Sequence, residues 1–376
     1  MKIAKVEVFP LILPMKQNFS IAGGSVGSTA EGAPHVYVKI TDEEGCFGWG
    51  EARPSRRWSY ETPESVTSSL ERYLGPALIG LPIDDWDALH RAMNREIAGS
   101  LHVGQPIAKA AIDMAMHDLV ARRRRIRLPE LWQSPFRGTI PLSYLISVST
   151  PEEAEAKARA AVSEGYAGVD VKIGFDPRRD IAVVEAVKSV PGIGFFRVDA
   201  NQGYDLAQAV KVARELARIG VDVLEQPLPA GDWHGYRELR RKADVPIALD
   251  EGVWTPRDVI QAVRTEACDA VVIKVTKMGG LRGAKRCGDI AAAAGLAMLG
   301  GGLTESGLGL TASAHLFHSL QIDTPVDLNG PLFLSDDPLE TGPELRGGIV
   351  TLPDAPGIGC VVSESKLHAF LRRQEG

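Results

Sequence analysis

The chain has 376 residues, of which 44% are hydrophobic and 24% charged, and its formal net charge is −6. A chain of this length is too long for one ordinary hydrophobic core, which favours a large barrel with a second domain. The negative net charge gives no reason to expect nucleic acid or an anionic membrane as a partner. Four scattered cysteines without CxxC spacing indicate neither a disulfide framework nor a zinc site. No apolar run is long enough to span a membrane, and the first residues lack a secretory signal, so we expect a cytoplasmic protein.

Residues 1–125 have the pattern of an α+β domain. Three segments, KIAKVEVFPLIL, HVYVKITDEEG and CFGWGEA, are typical of antiparallel strands joined by turns. Helical patterns follow, and the last of them, PIAKAAIDMAMHDLVARRR, has apolar residues spaced for one buried face. The arginine run at 121–127 fits the C-terminal end of this helix, where cations are favoured, better than a nucleic-acid site.

Two irregular segments interrupt this domain. FSIAGGSVGSTAEGAPH is rich in Gly and Ser, and ARPSRRWSYET follows the third strand. Loops that reach over the mouth of a barrel act as a lid that excludes water. Plain surface connections fit these two segments equally well.

Residues 126–325 alternate between strand and helix patterns, which predicts a (β/α) barrel. TIPLSYLISV is the first strand, and PEEAEAKARAAVSEGY is a helix with Pro151 in its first turn. Each of the next five strand patterns ends in a charged residue, and these lie about 25 residues apart, the length of a strand with its return helix. The five residues are Lys172, Asp199, Glu225, Asp250 and Lys274.

The series continues with GLAMLGGGLTESGLG, in which a Gly-rich loop replaces the charged strand end. Residues 326–376 are expected to form a final strand and an extension that folds back onto the capping domain.

Asp199, Glu225 and Asp250 end three successive strands, so their carboxylates are expected to meet at one mouth. Carboxylates without His or Cys suit Mg²⁺, with Mn²⁺ as an alternative. One such acid is explained equally well by a helix cap or an ion pair. Three acids in the same position of the repeat favour a metal site.

Lys172 and Lys274 end the strands on either side of the three acids. A partly desolvated lysine beside a divalent cation has a lowered pKa and can accept a proton near neutral pH. A substrate carboxylate on the metal would lie between the two lysines, and the metal would stabilise the enediolate formed when the α-proton leaves. Structural ion pairs or a Schiff-base lysine are the alternatives, but an aldolase needs no cluster of three acids.

Several segments resemble the signatures of the muconate-lactonising subgroup of the enolase superfamily, in the mandelate racemase/muconate lactonizing enzyme family. They are VKIG at 171–174, DANQG at 199–203, LEQPL at 224–228, LDE at 249–251, IKVTKMGGLRGA at 273–284 and GGGLTESGLGLTASAHLF at 300–317. The resemblance implies a modified (β/α)7β TIM-like barrel with an N-terminal α+β capping domain. It also implies Mg²⁺ on the three acids, an acid/base pair made of the two lysines, and a homo-oligomer.

The same resemblance implies substrate contacts for Glu305 and Thr304 in the seventh-strand motif, for Asn329 on the last strand and for Tyr60 in the second irregular segment. One departure concerns the second strand, where the family usually has Lys-x-Lys and this chain has Asp170 two residues before Lys172. A carboxylate so close is expected to raise the pKa of Lys172, or to bind a substrate group directly.

The step shared by the family is removal or delivery of a proton α to a carboxylate of a small substrate. Sugar-acid dehydratases usually present a histidine at the seventh strand, where this chain has Gly300, Gly301 and Gly302. Dipeptide epimerases usually carry Asp-x-Asp on the last strand, which Asp327 and Asn329 match in part. The tail NGPLFLSDDP and the loop WSYETPES resemble those of the muconate enzymes more closely. We therefore rank a muconate-cycloisomerase-like enzyme first and a racemase or epimerase of an N-substituted amino acid, dipeptide or proline derivative second. A non-catalytic barrel is the remote alternative.

Overall fold

The capping domain is built on an antiparallel sheet, in a computed structural model that describes residues 1–99 and 103–372. Its strands are β1 (Ile3–Leu13), β2 (Phe19–Ile21), β3 (Gly24–Gly27), β4 (Ala33–Asp42) and β5 (Phe47–Ala52). β1, β4 and β5 form one sheet in that order, and β2 pairs with β3 as a separate hairpin. The three antiparallel strands predicted from the sequence are thus confirmed.

Helices cover this sheet. They are α1 (Pro63–Ser69), a π-helical turn (Leu70–Leu74), α2 (Gly75–Leu78), α3 (Trp86–Glu96), α4 (Pro106–Arg124) and a 3-10 turn (Leu128–Trp132). α4 is buried from Pro106 to Ala121 and packs on β5. Gly50 permits this contact, because a Cβ at that position would lie only 2.0 Å from the carbonyl oxygen of Ala111. The predicted arginine-rich helix end is confirmed: α4 ends at Arg124, and Arg122 forms an ion pair with Asp118.

The barrel consists of seven parallel strands with helices between them. Its elements and the strand before them are β6 (Thr139–Pro141), β7 (Ser143–Ile146), α5 (Pro151–Ser163), β8 (Gly168–Lys172), α6 (Pro177–Lys188), β9 (Phe195–Asp199), α7 (Leu206–Ile219), β10 (Val223–Glu225), α8 (Trp233–Lys242), β11 (Ile247–Leu249), α9 (Pro256–Thr265), β12 (Ala270–Ile273), α10 (Leu281–Ala293), β13 (Ala297–Gly300) and α11 (Gly307–Ser319). β7 to β13 are neighbours in chain order. The strands are short and largely buried, as expected for parallel strands covered by helices.

The predicted first barrel strand is divided in two. β6 pairs with a strand near the C-terminus, whereas β7 pairs with β8 in the barrel. The division falls next to Pro141, which has no N–H to donate to a neighbouring strand.

A short connection closes the barrel in place of a full eighth strand. The Val326 N–H donates to the Pro141 carbonyl at 3.0 Å, and the Ser143 N–H donates to the Val326 carbonyl at 2.9 Å. On the other side, the Asp327 N–H donates to the Gly300 carbonyl at 3.0 Å. These bonds join β7 to β13 and complete a modified (β/α)7β barrel beneath the capping domain.

The remaining chain lies against both parts. Its elements are α12 (Gly330–Phe333), β14 (Leu339–Thr341), β15 (Glu344–Arg346), β16 (Ile349–Thr351), β17 (Val361–Val362) and α13 (Glu364–Arg372). β16 pairs with β6, and α13 contacts β1. Lys39 of β4 also reaches α13, with its Nζ 2.6 Å from Glu364 Oε1. Within the described residues, no helix combines the length and apolar character needed to cross a membrane.

Candidate active site

Five charged side chains lie at the carboxyl ends of adjacent barrel strands. Lys172, Asp199 and Glu225 are the last residues of β8, β9 and β10, and Asp250 and Lys274 directly follow β11 and β12. Strand pairing aligns Lys172 with Asp199 and Asp199 with Glu225. All five are buried, with exposed fractions of 5% or less. The structure therefore brings together the five residues singled out from the sequence.

The three carboxylates pair with cationic side chains. Lys172 Nζ donates to Asp199 Oδ2 at 2.7 Å, and Lys274 Nζ donates to Asp250 Oδ2 at 2.5 Å. Glu225 pairs with Arg197, which lies two residues before Asp199 and so shares its face of β9.

Lys277 is a further cation of this site. Its Nζ donates to the side chain of Asp250 at 2.7 Å and to the Asp250 carbonyl at 2.6 Å. Sequence reasoning missed Lys277 and Arg197. The alternation of β9 was a signal for Arg197, whereas Lys277 follows its strand in a loop and carried no periodic signal.

The donor set fits a hard divalent cation. Burial raises the pKa of Glu225 well above its ordinary value, and the nearby Asp199 and Asp250 raise it further against the opposing effect of Arg197. Glu225 Oε1 is buried without a hydrogen-bond partner among the described residues. In the arrangement described, no three His, Cys, Asp or Glu side chains of residues 1–99 and 103–372 already form a metal-binding group. Ion binding therefore requires the carboxylates to exchange some of their lysine and arginine contacts for the metal.

Lys172 is surrounded by acids. Besides Asp199, its Nζ lies 3.3 Å from Asp170 Oδ2 and 3.8 Å from Asp327 Oδ2. Burial alone would lower the pKa of Lys172, but Asp170, Asp199 and Asp327 together hold it well above its ordinary value. The effect of Asp170 has the direction expected from the sequence.

Asp170 itself is buried beneath this lysine. Its Oδ2 lies 3.7 Å from Arg197 Nε. Burial raises the pKa of Asp170 to about 6, although Lys172 and Arg197 oppose that shift. Asp170 is thus placed to act on Lys172.

Lys274 has a different neighbourhood on the other side of the site. Its Nζ lies 4.9 Å from the centre of the Trp58 ring, a cation–π contact. Trp58 also contacts Trp254 at 5.4 Å between ring centres. Burial would lower the pKa of Lys274, but Asp250 and other acids raise it.

A small cavity of about 30 Å³ lies between the two lysines. Its lining comprises Phe19, Ile21, Val26, Ser55, Trp58, Lys172, Asn201, Lys274, Gly302, Leu303, Asp327 and Asn329. The first five of these come from the two irregular segments of the capping domain, which supports the lid interpretation over plain surface connections. Small-molecule sites are usually roughly 300–1,000 Å³, so the lid must move to admit a substrate.

One arginine connects the two lid segments. Arg53 is buried, with Nη1 donating to the Pro54 carbonyl at 2.6 Å and Nη2 donating to the Val26 carbonyl at 3.1 Å. The lid is therefore held together by a side chain that does not line the cavity.

The predicted substrate-binding residues differ in their positions. Asn329 lines the cavity and donates to Asp327 Oδ1 at 2.8 Å. Glu305 is buried next to the cavity, and its carboxylate accepts from Thr276 Oγ1 and from the Leu303 N–H, both at 2.7 Å.

Neither Thr304 nor Tyr60 is among the residues that line the cavity. Thr304 is buried with a left-handed backbone (φ 69°), which turns the chain between Leu303 and Glu305. Tyr60 is 53% exposed and stacks on Trp254, with 6.2 Å between ring centres. Their roles as substrate contacts stay predictions.

Two family models match this chain. Residues 6–132 match the mandelate racemase / muconate lactonizing enzyme N-terminal domain, and residues 153–366 match the enolase C-terminal domain-like family. The chain belongs to the mandelate racemase/muconate lactonizing enzyme family. The resemblance drawn from its strand-end motifs is confirmed.

Relatives within this family are isomerases with different substrates in their names. The chain is 32% identical to L-Ala-D/L-Glu epimerase of Bacillus subtilis (strain 168), over 96% of this chain and 97% of the epimerase. It is 31% identical to muconate cycloisomerase 1 of Rhodococcus opacus, over 99% of both chains. The crystal structure of N-succinyl Arg/Lys racemase from Bacillus cereus superimposes with a TM-score of 0.91 at 30% identity, covering 98% of each chain. The protein is accordingly an isomerase of the enolase superfamily.

Proposed function

We propose that this protein is a Mg²⁺-dependent isomerase that removes and returns a proton α to a carboxylate, with Lys172 and Lys274 as the acid/base pair. The observation that carries the proposal is the pairing of each lysine with one member of a single row of strand-end acids: Lys172 with Asp199 and Lys274 with Asp250. Both ammonium groups also line the same cavity. A carbon acid bound between them has a lysine on each side, of which one must be neutral to accept the α-proton while the other, protonated, donates one.

The residues that would hold the ion are Asp199, Glu225 and Asp250. Bound there, Mg²⁺ would supply electrostatic stabilisation of the enolate, and Mn²⁺ accepts the same oxygen donors. The protein's own part is to orient the substrate, exclude water through the lid and move the proton. Lys274 is held for this by Asp250 and Trp58, and Lys172 by Asp170 and Asp199.

The acids around Lys172 bear on the substrate class. Asp327 Oδ2 lies 3.8 Å from Lys172 Nζ, and both Asp327 and Asn329 line the cavity. A second carboxylate of a diacid would meet like charge here, whereas an N–H group would meet acceptors. We therefore place racemisation or epimerisation of an N-substituted amino acid ahead of cycloisomerisation, which reverses the order drawn from sequence.

Cycloisomerisation is the second candidate. It is supported by the similarity to muconate cycloisomerase 1 of Rhodococcus opacus over the full length of both chains. We also keep two expectations from the family resemblance, that the protein is a homo-oligomer and that it works in the cytoplasm. Size-exclusion chromatography with light scattering tests the first of these.

The experiment is α-proton exchange in D₂O over a panel of N-acyl amino acids, dipeptides, proline derivatives and diacids, in the presence of Mg²⁺. We expect deuterium at the α-carbon of an N-substituted amino acid, and loss of racemisation by roughly 10²–10⁴-fold in Lys172→Ala and Lys274→Ala. Lys211→Ala, on the exposed face of α7, is the matched control. Unchanged turnover in folded Lys172→Ala and Lys274→Ala would contradict the mechanism.

A further inference from the structure

The cavity wall contains polar atoms that the protein itself does not satisfy. Four lining residues each carry a buried polar atom with no hydrogen-bond partner among the described residues: Ser55 Oγ, Trp58 Nε1, Asn201 Oδ1 and Asn329 Oδ1. Buried polar groups in native proteins are nearly always paired, and each unpaired one calls for an explanation. In a binding cavity, such atoms indicate the polarity of the molecule that binds there.

The unpaired atoms on the barrel side of the cavity differ in hydrogen-bonding character from those on the lid side. The barrel supplies amide oxygens, from Asn201 and Asn329, which accept hydrogen bonds. The lid supplies Trp58 Nε1, which only donates, and the hydroxyl of Ser55, which is able to donate. The bound molecule should therefore present an acceptor to the lid.

Ser55 and Trp58 belong to one tight turn. The N–H groups of Trp58 and Ser59 both donate to the Ser55 carbonyl, at 3.0 Å and 2.7 Å. Both side chains line the cavity, and Ser55 is only 6% exposed. The turn thus fixes two donors relative to each other.

The position of this turn relates the donors to the reacting carbon. Lys274 must come within roughly 3–3.5 Å of the α-carbon to take its proton. Lys274 Nζ also lies 4.9 Å from the Trp58 ring centre. An acyl group on the α-nitrogen begins two bonds from that carbon and its carbonyl oxygen is three bonds away, so this oxygen comes within reach of the lid turn.

We propose that Ser55 and Trp58 form a lid subsite that donates hydrogen bonds to the carbonyl oxygen of an N-acyl group on the substrate. This inference rests on the proposed function and names the residues that select its substrate. The lid contributes no Lys or Arg to the described lining of this cavity. Because a buried anion needs a charged partner, neutral donors favour an amide carbonyl over a second carboxylate.

The test compares two substrates that differ only at nitrogen, an N-acetyl and an N-methyl derivative of the same amino acid, by α-proton exchange with the Mg²⁺-loaded enzyme. Ser55→Ala removes the hydroxyl, and Trp58→Phe removes the indole N–H while keeping a ring over Lys274. We expect kcat/KM for the N-acetyl substrate to fall roughly 5- to 100-fold in the double variant, mainly through KM, because a buried carbonyl is left unpaired. Exchange of the N-methyl substrate, which has no acyl carbonyl to lose a donor, should fall by a clearly smaller factor, and Ser55→Thr should restore the Ser55 contribution for the N-acetyl substrate.

Two controls and two outcomes complete the test. Two control variants, Ser25→Ala at an exposed position of β3 and Trp233→Phe at the start of α8, should leave kcat/KM for both substrates unchanged. An equal loss for both substrates, or no loss for either, overturns the subsite while leaving the proposed function intact. Exchange confined to diacids, or absent from every compound, overturns the proposed function and the subsite together.

Discussion

Asp170 stands at the position where the resemblance drawn from the sequence implies the first lysine of a Lys-x-Lys pair. Its carboxylate lies 3.3 Å from Lys172 Nζ and takes the place of a second cation. Lys172, the proposed acid/base residue, therefore has an anion beside it where the family pattern expected from the sequence has a cation. The pH at which Lys172 loses its proton should depend on this one side chain.

Replacing Asp170 by Asn is expected to move the acidic limb of the pH–rate profile to lower pH. Lys172 accepts a proton only when neutral, and Asp170 is among the groups that raise its pKa. Removing that charge lowers the pKa of Lys172, because one of the anions that favour its protonated form is lost. The substitution also removes the titration of Asp170 itself, whose pKa burial raises to about 6.

The measurement is kcat/KM for α-proton exchange as a function of pH, for the wild type and Asp170→Asn. Asp323→Asn, which changes an acid that is 77% exposed, is the matched control and should leave the profile unmoved. A limb that stays in place or moves to higher pH in Asp170→Asn argues against this role.

Single residues were predictable from sequence where they end an apolar run. Lys172, Asp199 and Glu225 could be found because a buried parallel strand is largely apolar and each of these charged residues closes such a run. Ser55 and Trp58 could not, since their turn has no periodicity and only the folded lid brings them over the barrel mouth.

At the scale of elements, the contact between α4 and β5 joins the helical layer of the cap to its sheet. Gly48 and Gly50 both face this helix, and a Cβ on either would lie within 2.3 Å of helix backbone. The sequence predicted the helix and its apolar face. It did not predict which strand receives that face, because the partner is marked only by small residues.

Gly50→Ala is expected to destabilise the protein by about 1–3 kcal/mol or more, because the helix must shift to admit a methyl group. The midpoint of urea unfolding measures this change. Gly138→Ala is the matched control, because its Cβ would meet Phe136 at an ordinary 3.5 Å. Equal stability of Gly50→Ala and the wild type would show that the layers separate more easily than the packing indicates.

At the scale of the whole molecule, the barrel gathers three acids that repel one another. The pKa of Glu225 is raised because burial and the charges of Asp199 and Asp250 all disfavour its ionised form. A divalent cation bound by the native state would relieve the repulsion and stabilise the fold. The acids were predictable from their place in the repeat, whereas their lysine and arginine partners required the structure.

Mg²⁺ is accordingly expected to raise the midpoint of thermal unfolding. At a concentration of one hundred times Kd, the stabilisation is about 2.7 kcal/mol. Glu225→Gln, which removes one of the three proposed anionic ligands, should lose most of this shift, and Glu185→Gln, on the exposed side of α6, should keep it. The same shift in Glu225→Gln and the wild type would place the ion elsewhere.

The buried guanidinium of Arg53 has a consequence for access to the barrel mouth. It donates hydrogen bonds to main-chain carbonyls of both lid segments, those of Val26 and Pro54. If one segment moved without the other, the buried guanidinium would lose its hydrogen bond to the Pro54 or the Val26 carbonyl. The two segments should therefore move together. A single movement would then withdraw the apolar side chains of the first segment and Trp58 of the second from the cavity together.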